Sequence, residues 1–469
     1  MDKIKTTLRD SRWGRWTALC MISFTMLCGY YLVDAMAPLQ ERLQSDLMWT
    51  ATDYGIYTGG YGWFNVFLVM LIIAGMILDK MGIRFTGILA ILIMLGGAGI
   101  KYYAISGGVD PAVFSLSIGN WELFSAKKQA ILAGLGFATF GVGVEMFGIT
   151  ANKAVIRWFK GKEMALAIGL NTSTGRVGTA LAMATPVPLV DLTKNLSAPI
   201  LLAMLLLCIG LVAFIRFIMF DRKLDKEEGV DKEVSDEEKF KLKDILKIAK
   251  IRAFWYITIL CVLFYSAVFP FIKYATSLIV QKFGVSDKFA GYIPALLPLG
   301  ALFLTPFFGN LYDRKGKGAS IMILGSVILL VVHLLFSIPS LNNLAIAIGL
   351  VVLLGIGFSL VPSAMWPSVA KIIPEKRLGT AYALIFWVQN WGLMGVPMLI
   401  GYILDNYCIT GSILKTINGS VVEVTQYNYT LPMLVFACFG AAAIFFAFLL
   451  KREDKKKNYG LESPNIKDS

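Results

Sequence analysis

Long apolar runs broken by short polar turns dominate the chain between residues 16 and 450. An α-helix needs about 20 residues to cross the hydrocarbon core of a bilayer, and each run reaches roughly that length. Twelve runs are present, over 16–37, 54–78, 83–105, 130–153, 163–187, 198–219, 254–280, 288–311, 319–338, 343–371, 378–404 and 431–450. The pattern predicts twelve transmembrane helices. Basic residues precede the first run, and Ala35-Met36-Ala37 has the small residues of a leader cleavage site. Pro38 follows at once and eleven more spans lie downstream, so a retained helix is expected.

Twelve spans place both ends of the chain on one side. Most of the 44 Lys and Arg fall in the tails and the loops on that side, and few fall in the opposite loops. That asymmetry predicts cytoplasmic termini. The longest polar stretch, 221–250, separates spans six and seven and mixes Arg222, Lys223 and Lys226 with Glu227, Glu228 and Asp231. A solvated, partly helical linker is expected there. The chain then reads as an N-terminal six-helix bundle (1–220), a cytoplasmic linker (221–250) and a C-terminal six-helix bundle with a short tail (251–469).

Composition agrees with the pattern. Of 469 residues, 57% are apolar and 16% charged, against about 25% charged in soluble domains. This excludes a soluble enzyme, a secreted disulfide scaffold and a disordered chain. A net charge of +13 would suggest nucleic acid in a soluble protein; in a membrane protein it reflects basic cytoplasmic loops, and no nucleic-acid partner is expected. His333 is the one histidine, near the outer end of span nine, and is expected at the membrane interface. The six cysteines show no CxxC or Cys/His spacing, and neither HExxH, a P-loop nor GxSxG occurs. No metal, cofactor or enzymatic chemistry is expected.

Span two ends in Gly75-Met-Ile-Leu-Asp79-Lys80-Met-Gly82-Ile-Arg84, and span eight ends in Gly309-Asn-Leu-Tyr-Asp313-Arg314-Lys-Gly316-Lys317. The two copies stand half the chain apart, as repeats do in secondary transporters. Gly75 and Gly309 are expected to admit a neighbouring helix. Asp79 and Asp313 are expected to pair with cations or a helix N-terminus, and Gly82 and Gly316 to make the turn. Such contacts serve a cytoplasmic gate. Twelve spans, a central linker and this motif resemble the major facilitator superfamily over essentially the whole chain. The resemblance implies an all-α membrane protein of twelve transmembrane helices in two pseudo-symmetric bundles around a cavity, working by rocker-switch alternating access.

Four ionisable residues stand out deep within spans: Glu145, Arg176, Asp34 and Lys273. Such residues are functional candidates because burial in lipid is costly. The turn between spans four and five centres on Lys160 and Gly161, midway between Glu145 and Arg176. The two therefore sit at equal depth on adjacent antiparallel helices, about 20 Å from the cytoplasmic end at 1.5 Å per residue. Two readings stand. Glu145 and Arg176 neutralise each other as a structural pair, or they face the cavity, where Arg176 holds a carboxylate and Glu145 an ammonium.

Further residues narrow the resemblance. Glu145 with Asn152, Trp158-Phe-Lys-Gly-Lys-Glu163, Arg176-Val-Gly178, Tyr265-Ser-Ala-Val-Phe-Pro270-Phe-Ile, Trp366-Pro367, Pro374-Glu375-Lys-Arg-Leu-Gly-Thr-Ala-Tyr382 and Gln389-Asn390 resemble the lysosomal dipeptide uniporters of that superfamily and their prokaryotic relatives. The resemblance implies that Glu145 and Arg176 bind the two peptide termini and that Asn152 belongs to the site. Lys153, Arg157 and Lys273 fall outside its pattern. Tyr30, Tyr31, Tyr61, Trp63, Asn65, Tyr265, Trp366, Trp387 and Gln389 sit mid-span, where they complete a substrate site or simply pack helices. Asp34 reads as a gate or proton site. Lys273 follows the helix-kinking Pro270 and either meets a substrate carboxylate or snorkels outward.

The expected function is transport of dipeptides or similar small zwitterions. The alternative is organic-anion transport, with Arg176 and Lys273 as the clamp and Glu145 structural. A sensor needs an output domain, for which the tails are short. Uniport and proton coupling both stay open. A monomer in a lipid bilayer is expected. Short tails without an acidic dileucine signal point to the cell membrane, as a bacterial inner membrane.

Overall fold

In lipid a backbone satisfies its polar groups internally, so the apolar runs become helices. The structure, a computed structural model, describes residues 8–118, 121–228, 242–374, 377–417 and 420–465. Residues 229–241 of the expected linker and Glu375 and Lys376 of the span-eleven motif lie outside the described residues.

The first half comprises α1 (Arg12–Asp34), α2 (Gln40–Asp46), α3 (Ala51–Gly59), α4 (Trp63–Phe67), α5 (Met70–Ile105), α6 (Lys128–Phe159), α7 (Met164–Ala184), α8 (Pro186–Thr193) and α9 (Ala198–Glu228). After α10 (Leu242–Ala249) follow α11 (Arg252–Phe283), α12 (Asp287–Ala290), α13 (Tyr292–Lys315), α14 (Gly318–Ser337), α15 (Leu344–Ile372), α16 (Leu378–Tyr407) and α17 (Thr430–Lys457). Each of the twelve predicted spans is helical, and the helices pack as two six-helix bundles. Leu8 and Asn465 lie on one face, here the terminal face; the opposite one is the far face.

Two spans depart from a simple apolar helix. The second was expected to be continuous over 54–78. It is instead α3, a 3-10 turn at Gly60–Gly62, α4, and the start of α5 after Val69, whose φ of 53° is strained for a β-branched residue. Glycines weaken the helix here and let two neighbours approach. A Cβ on Gly60 would stand 2.5 Å from the Gly134 carbonyl of α6, and one on Gly59 2.5 Å from the Met394 carbonyl of α16. Gly82, at φ 75°, ends this span and begins the next within α5. The other exception is α7, the span that carries Arg176. Ten described helices are long and apolar enough to cross a membrane, and α7 is not among them. Its Asn171-Thr-Ser-Thr174 run accounts for that.

On the far face, two loops form antiparallel hairpins that the reading of spans alone did not anticipate. β1 (Val113–Ile118) pairs with β2 (Trp121–Lys127), and β3 (Ile409–Ile417) with β4 (Ser420–Tyr427). Alternating Val-Phe-Ser-Leu-Ser-Ile in the first supplies the two-residue period of a strand.

His333 was expected at the membrane interface. The structure buries it completely, with Nε2 3.0 Å from the Ala267 carbonyl and its ring 5.2 Å from that of Phe271. Pro270 lacks an N–H and loosens the carbonyls one turn before it, so His333 supplies a donor beside the kink of α11. Replacing His333 with alanine is expected to cost about 1–3 kcal/mol, read as a lower unfolding temperature in detergent. An unchanged temperature would remove the bracing role.

Candidate functional site

The two halves meet most closely at the far face. Asp405 of α16 accepts hydrogen bonds from the Ala51 and Thr52 amides (3.0 and 2.6 Å), capping the N-terminus of α3 in the other half. Arg42 joins Asp191 of its own half (2.8 Å) to Asp287 of the other (3.0 Å), and Lys415 reaches Glu41 (2.8 Å). Backbones touch as well: a Cβ on Gly401 would stand 2.3 Å from the Ala51 carbonyl.

At the terminal face, every described ion pair joins groups of the same half. Lys153 holds Asp79 (2.8 Å). Arg84 and Arg157 both bind Asp221 and Asp225, and Trp158 donates to Asp221 (3.0 Å). This explains the cations that fell outside the resemblance: Lys153 and Arg157 brace the first of the two repeated turns. In the second copy, Asn465 donates to the Asp313 carboxylate (2.7 Å), while Lys371 binds the Gly460 and Ser463 carbonyls (2.9 Å each). The tail thus occupies the turn, and a Cβ on Gly316 would strike the Glu462 carbonyl at 2.5 Å. Lys80 and Arg314 are exposed.

Gly75 and Gly309 were expected to admit a neighbouring helix. A Cβ on either meets nothing within 4 Å. At this end of the second and eighth spans no described residue comes close enough to require the missing side chain.

Between the closed far face and the splayed terminal face lie Glu145 and Arg176, both half-buried. They do not pair with each other. Tyr61 donates to the Glu145 carboxylate (2.8 Å). The Arg176 guanidinium lies over the rings of Phe358 (4.7 Å) and Phe269 (5.8 Å), both from the other half. Among the described residues, neither has an opposite charge within ion-pair distance. Tyr30 lies within electrostatic reach of both. It packs on Gly175 and Gly178, where a Cβ would meet the Tyr30 ring at 3.1 Å and the Leu27 carbonyl at 2.5 Å. That close approach is the physical use of the glycine in Arg176-Val-Gly178.

An aromatic wall from the second half completes the site. Tyr265 stacks on Phe269 (5.1 Å), and Trp366 donates to the Tyr265 hydroxyl (3.3 Å). Trp366 packs against Phe386 (5.0 Å) and accepts at its carbonyl from Tyr382 (3.1 Å). Other expected site residues stand elsewhere. Trp387 donates to the Val66 carbonyl (3.0 Å), bracing the broken second span. Asn65 is buried and donates to Asn390 (3.4 Å). Gln389 accepts from the Cys261 thiol (3.5 Å), and Tyr31 bonds Thr185 (3.0 Å). The ring of Trp63 packs at Gly134, and Asn152 is exposed on the terminal side of Glu145. Lys273 binds Asp34 and the Val33 carbonyl (2.6 Å each), on the far side of the site.

Sequence reasoning missed Phe358, Phe386 and Lys101. Phe269 and Tyr382 stood inside quoted motifs without an assigned role. Nothing in Gly355-Ile-Gly-Phe358 distinguishes that ring from a packing residue.

Twelve helical spans in two six-helix bundles, with a turn motif repeated in each half, are the architecture of a membrane transporter. Residues 19–397 match the Major Facilitator Superfamily, and the chain belongs to that family. It is similar to the human lysosomal dipeptide transporter MFSD1, 29% identical over 401 residues, covering 84% of this chain and 80% of the relative. The bovine MFSD1 is 27% identical over 406 residues, covering 83% and 80%. Among solved structures, a bacterial homologue of the human lysosomal transporter Spinster, in an inward-facing and unoccupied conformation, superposes with a TM-score of 0.68 at 15% identity over 95% of this chain and 98% of that one.

Proposed function

We propose that the protein moves dipeptides or similar small zwitterions across a membrane by alternating access. The substrate carboxylate lies on Arg176 and its ammonium on Glu145. The observation that carries the reading is that the acid and the base, on consecutive spans, are each half-buried and unpaired with each other. A charge at this depth calls for a partner, and a ligand bearing both signs serves both. The dipeptide transport of the MFSD1 relatives points the same way.

The closed far face and the splayed terminal face correspond to a cytoplasm-open state, with the basic loops on the cytoplasmic side. The aromatic wall receives varied side chains, since ring faces are tolerant of shape. The anion-carrier alternative gains nothing here, because Lys273 already holds Asp34 (2.6 Å).

Thermal unfolding with dipeptides, N-acetylated dipeptides and dicarboxylates tests the class. Free dipeptides are expected to raise the unfolding temperature and the acetylated forms not. In proteoliposomes Glu145→Gln is expected to lower dipeptide uptake about 30-fold or more, as loss of one partner of a desolvated charge pair costs about 2–5 kcal/mol. Stabilisation by dicarboxylates alone, or full uptake by the variant, would sink the proposal.

A further inference from the structure

Two lysines approach the last turn of α1. Lys101 Nζ lies 3.4 Å from the Leu32 carbonyl, and Lys273 Nζ lies 2.6 Å from the Val33 carbonyl and 2.6 Å from the Asp34 carboxylate. Carbonyls at a helix C-terminus lack intrahelical donors and attract cations. Lys101 is wholly buried. Its ammonium sits over the rings of Phe137 (4.5 Å) and Tyr57 (5.1 Å), with no carboxylate within ion-pair distance among the described residues. The Lys273 ammonium stands 5.5 Å from the same Phe137 ring. One acid therefore faces two bases, and Lys101 lies within electrostatic reach of both Asp34 and Lys273.

The two bases belong to different halves. Lys101 is on α5, in the half that carries Asp34; Lys273 is on α11, in the other. If the halves part at the far face, the Asp34–Lys273 pair breaks, because its members separate. A buried carboxylate left without its partner is strongly unfavourable. Lys101 travels with Asp34 and is already beside it.

We propose that Asp34 exchanges partners during the transport cycle: it holds Lys273 across the two halves while the far face is closed, and Lys101 within its own half when that face opens. The inference rests on the alternating-access reading above. In the closed state the Phe137 and Tyr57 rings stabilise the idle Lys101 ammonium. In the open state Lys273 is released into a water-filled vestibule, where an ammonium is well solvated. Neither state leaves the carboxylate alone.

The test uses the full chain in a cysteine-free background, reconstituted in lipid. Spin labels go on Lys194 and Asn342, exposed far-face loop residues of the two halves, and pulsed electron spin resonance reads the distance between them. The wild type is expected to show a short, closed population and a long, open one. Lys273→Gln is expected to raise the open-to-closed ratio at least about fivefold and Lys101→Gln to lower it by a similar factor. In an Asp34→Asn background the Lys101 substitution is expected to lose its effect. Should Lys101→Gln fail to fold, Lys101→Met, which buries no unpaired amide, reads the same ratio. Two populations indifferent to Lys101, or shifted toward open by its loss, would overturn the partner exchange alone. A single population in every variant, with or without dipeptide, would overturn alternating access with it.

Discussion

Arg176→Lys is expected to cut dipeptide uptake about 100-fold while leaving the protein folded. Lysine keeps the charge, so the expected loss comes from geometry. The guanidinium lies over Phe358 (4.7 Å) with Phe269 alongside (5.8 Å), both in the other half. Those rings hold the fork in one orientation before any ligand arrives. A flexible ammonium loses the face-on contact, worth about 1–2 kcal/mol when desolvated. It also exchanges a bidentate grip on a carboxylate for a single point of contact, which removes about 1.5–3 kcal/mol more. About 3 kcal/mol corresponds to roughly two orders of magnitude. Uptake of a radiolabelled dipeptide into proteoliposomes, with protein amount and unfolding temperature matched, measures it. Phe358→Leu, which removes the ring and keeps the arginine, is expected to lose about fivefold. A lysine variant that transports at the wild-type rate would show that charge alone suffices there and that the stacked geometry has no part in binding.

The second large effect concerns folding. Gly97→Val is expected to destabilise the first half by about 3 kcal/mol or more. Its Cβ would stand 2.3 Å from the Phe140 amide nitrogen and 2.5 Å from the Gly136 carbonyl. Both are backbone atoms of α6, which cannot turn aside as a side chain can. The crossing has no slack elsewhere. A Cβ on Gly136 would meet the Lys101 amide nitrogen at 2.6 Å, and one on Gly143 the Ala90 carbonyl at 2.6 Å. Helices in lipid associate through close packing of small residues rather than through hydrophobic exclusion, so prising α5 from α6 removes the contact that joins them. Loss of the monodisperse peak in detergent, or a markedly lower unfolding temperature, is the expected result. Gly75→Val is the control: its Cβ meets nothing within 4 Å in this state, and the fold is expected to survive. A Gly97→Val protein as stable as the wild type would refute the account of this crossing.

Much of the fold was legible along the chain. Twelve apolar runs forecast twelve spans, because a bilayer makes length and apolarity nearly sufficient for a helix to cross it. The break in the second span was not forecast, since Gly59 and Gly60 are small residues whose neighbours on α6 and α16 arrive only on folding. The two hairpins were not forecast, because their strands are short and lie in loops outside the apolar runs. The expectation that Glu145 and Arg176 share one depth came from the fixed rise of a helix and the position of one turn. Their partners did not follow: Tyr61 comes from the second span, while Phe269 and Phe358 come from the other half.

The sequence by itself determined the membrane-spanning character, the repeated turns and the presence of an acid and a base within consecutive spans. Each depends on local composition or on counting along a helix. Tertiary structure decided which charge meets which. Lys273 holds Asp34 rather than standing ready for substrate, and Lys153 holds Asp79. Lys101 lies buried because α5 packs closely against α6. Pairing between distant residues depends on how helices pack, and one-dimensional spacing does not carry that information.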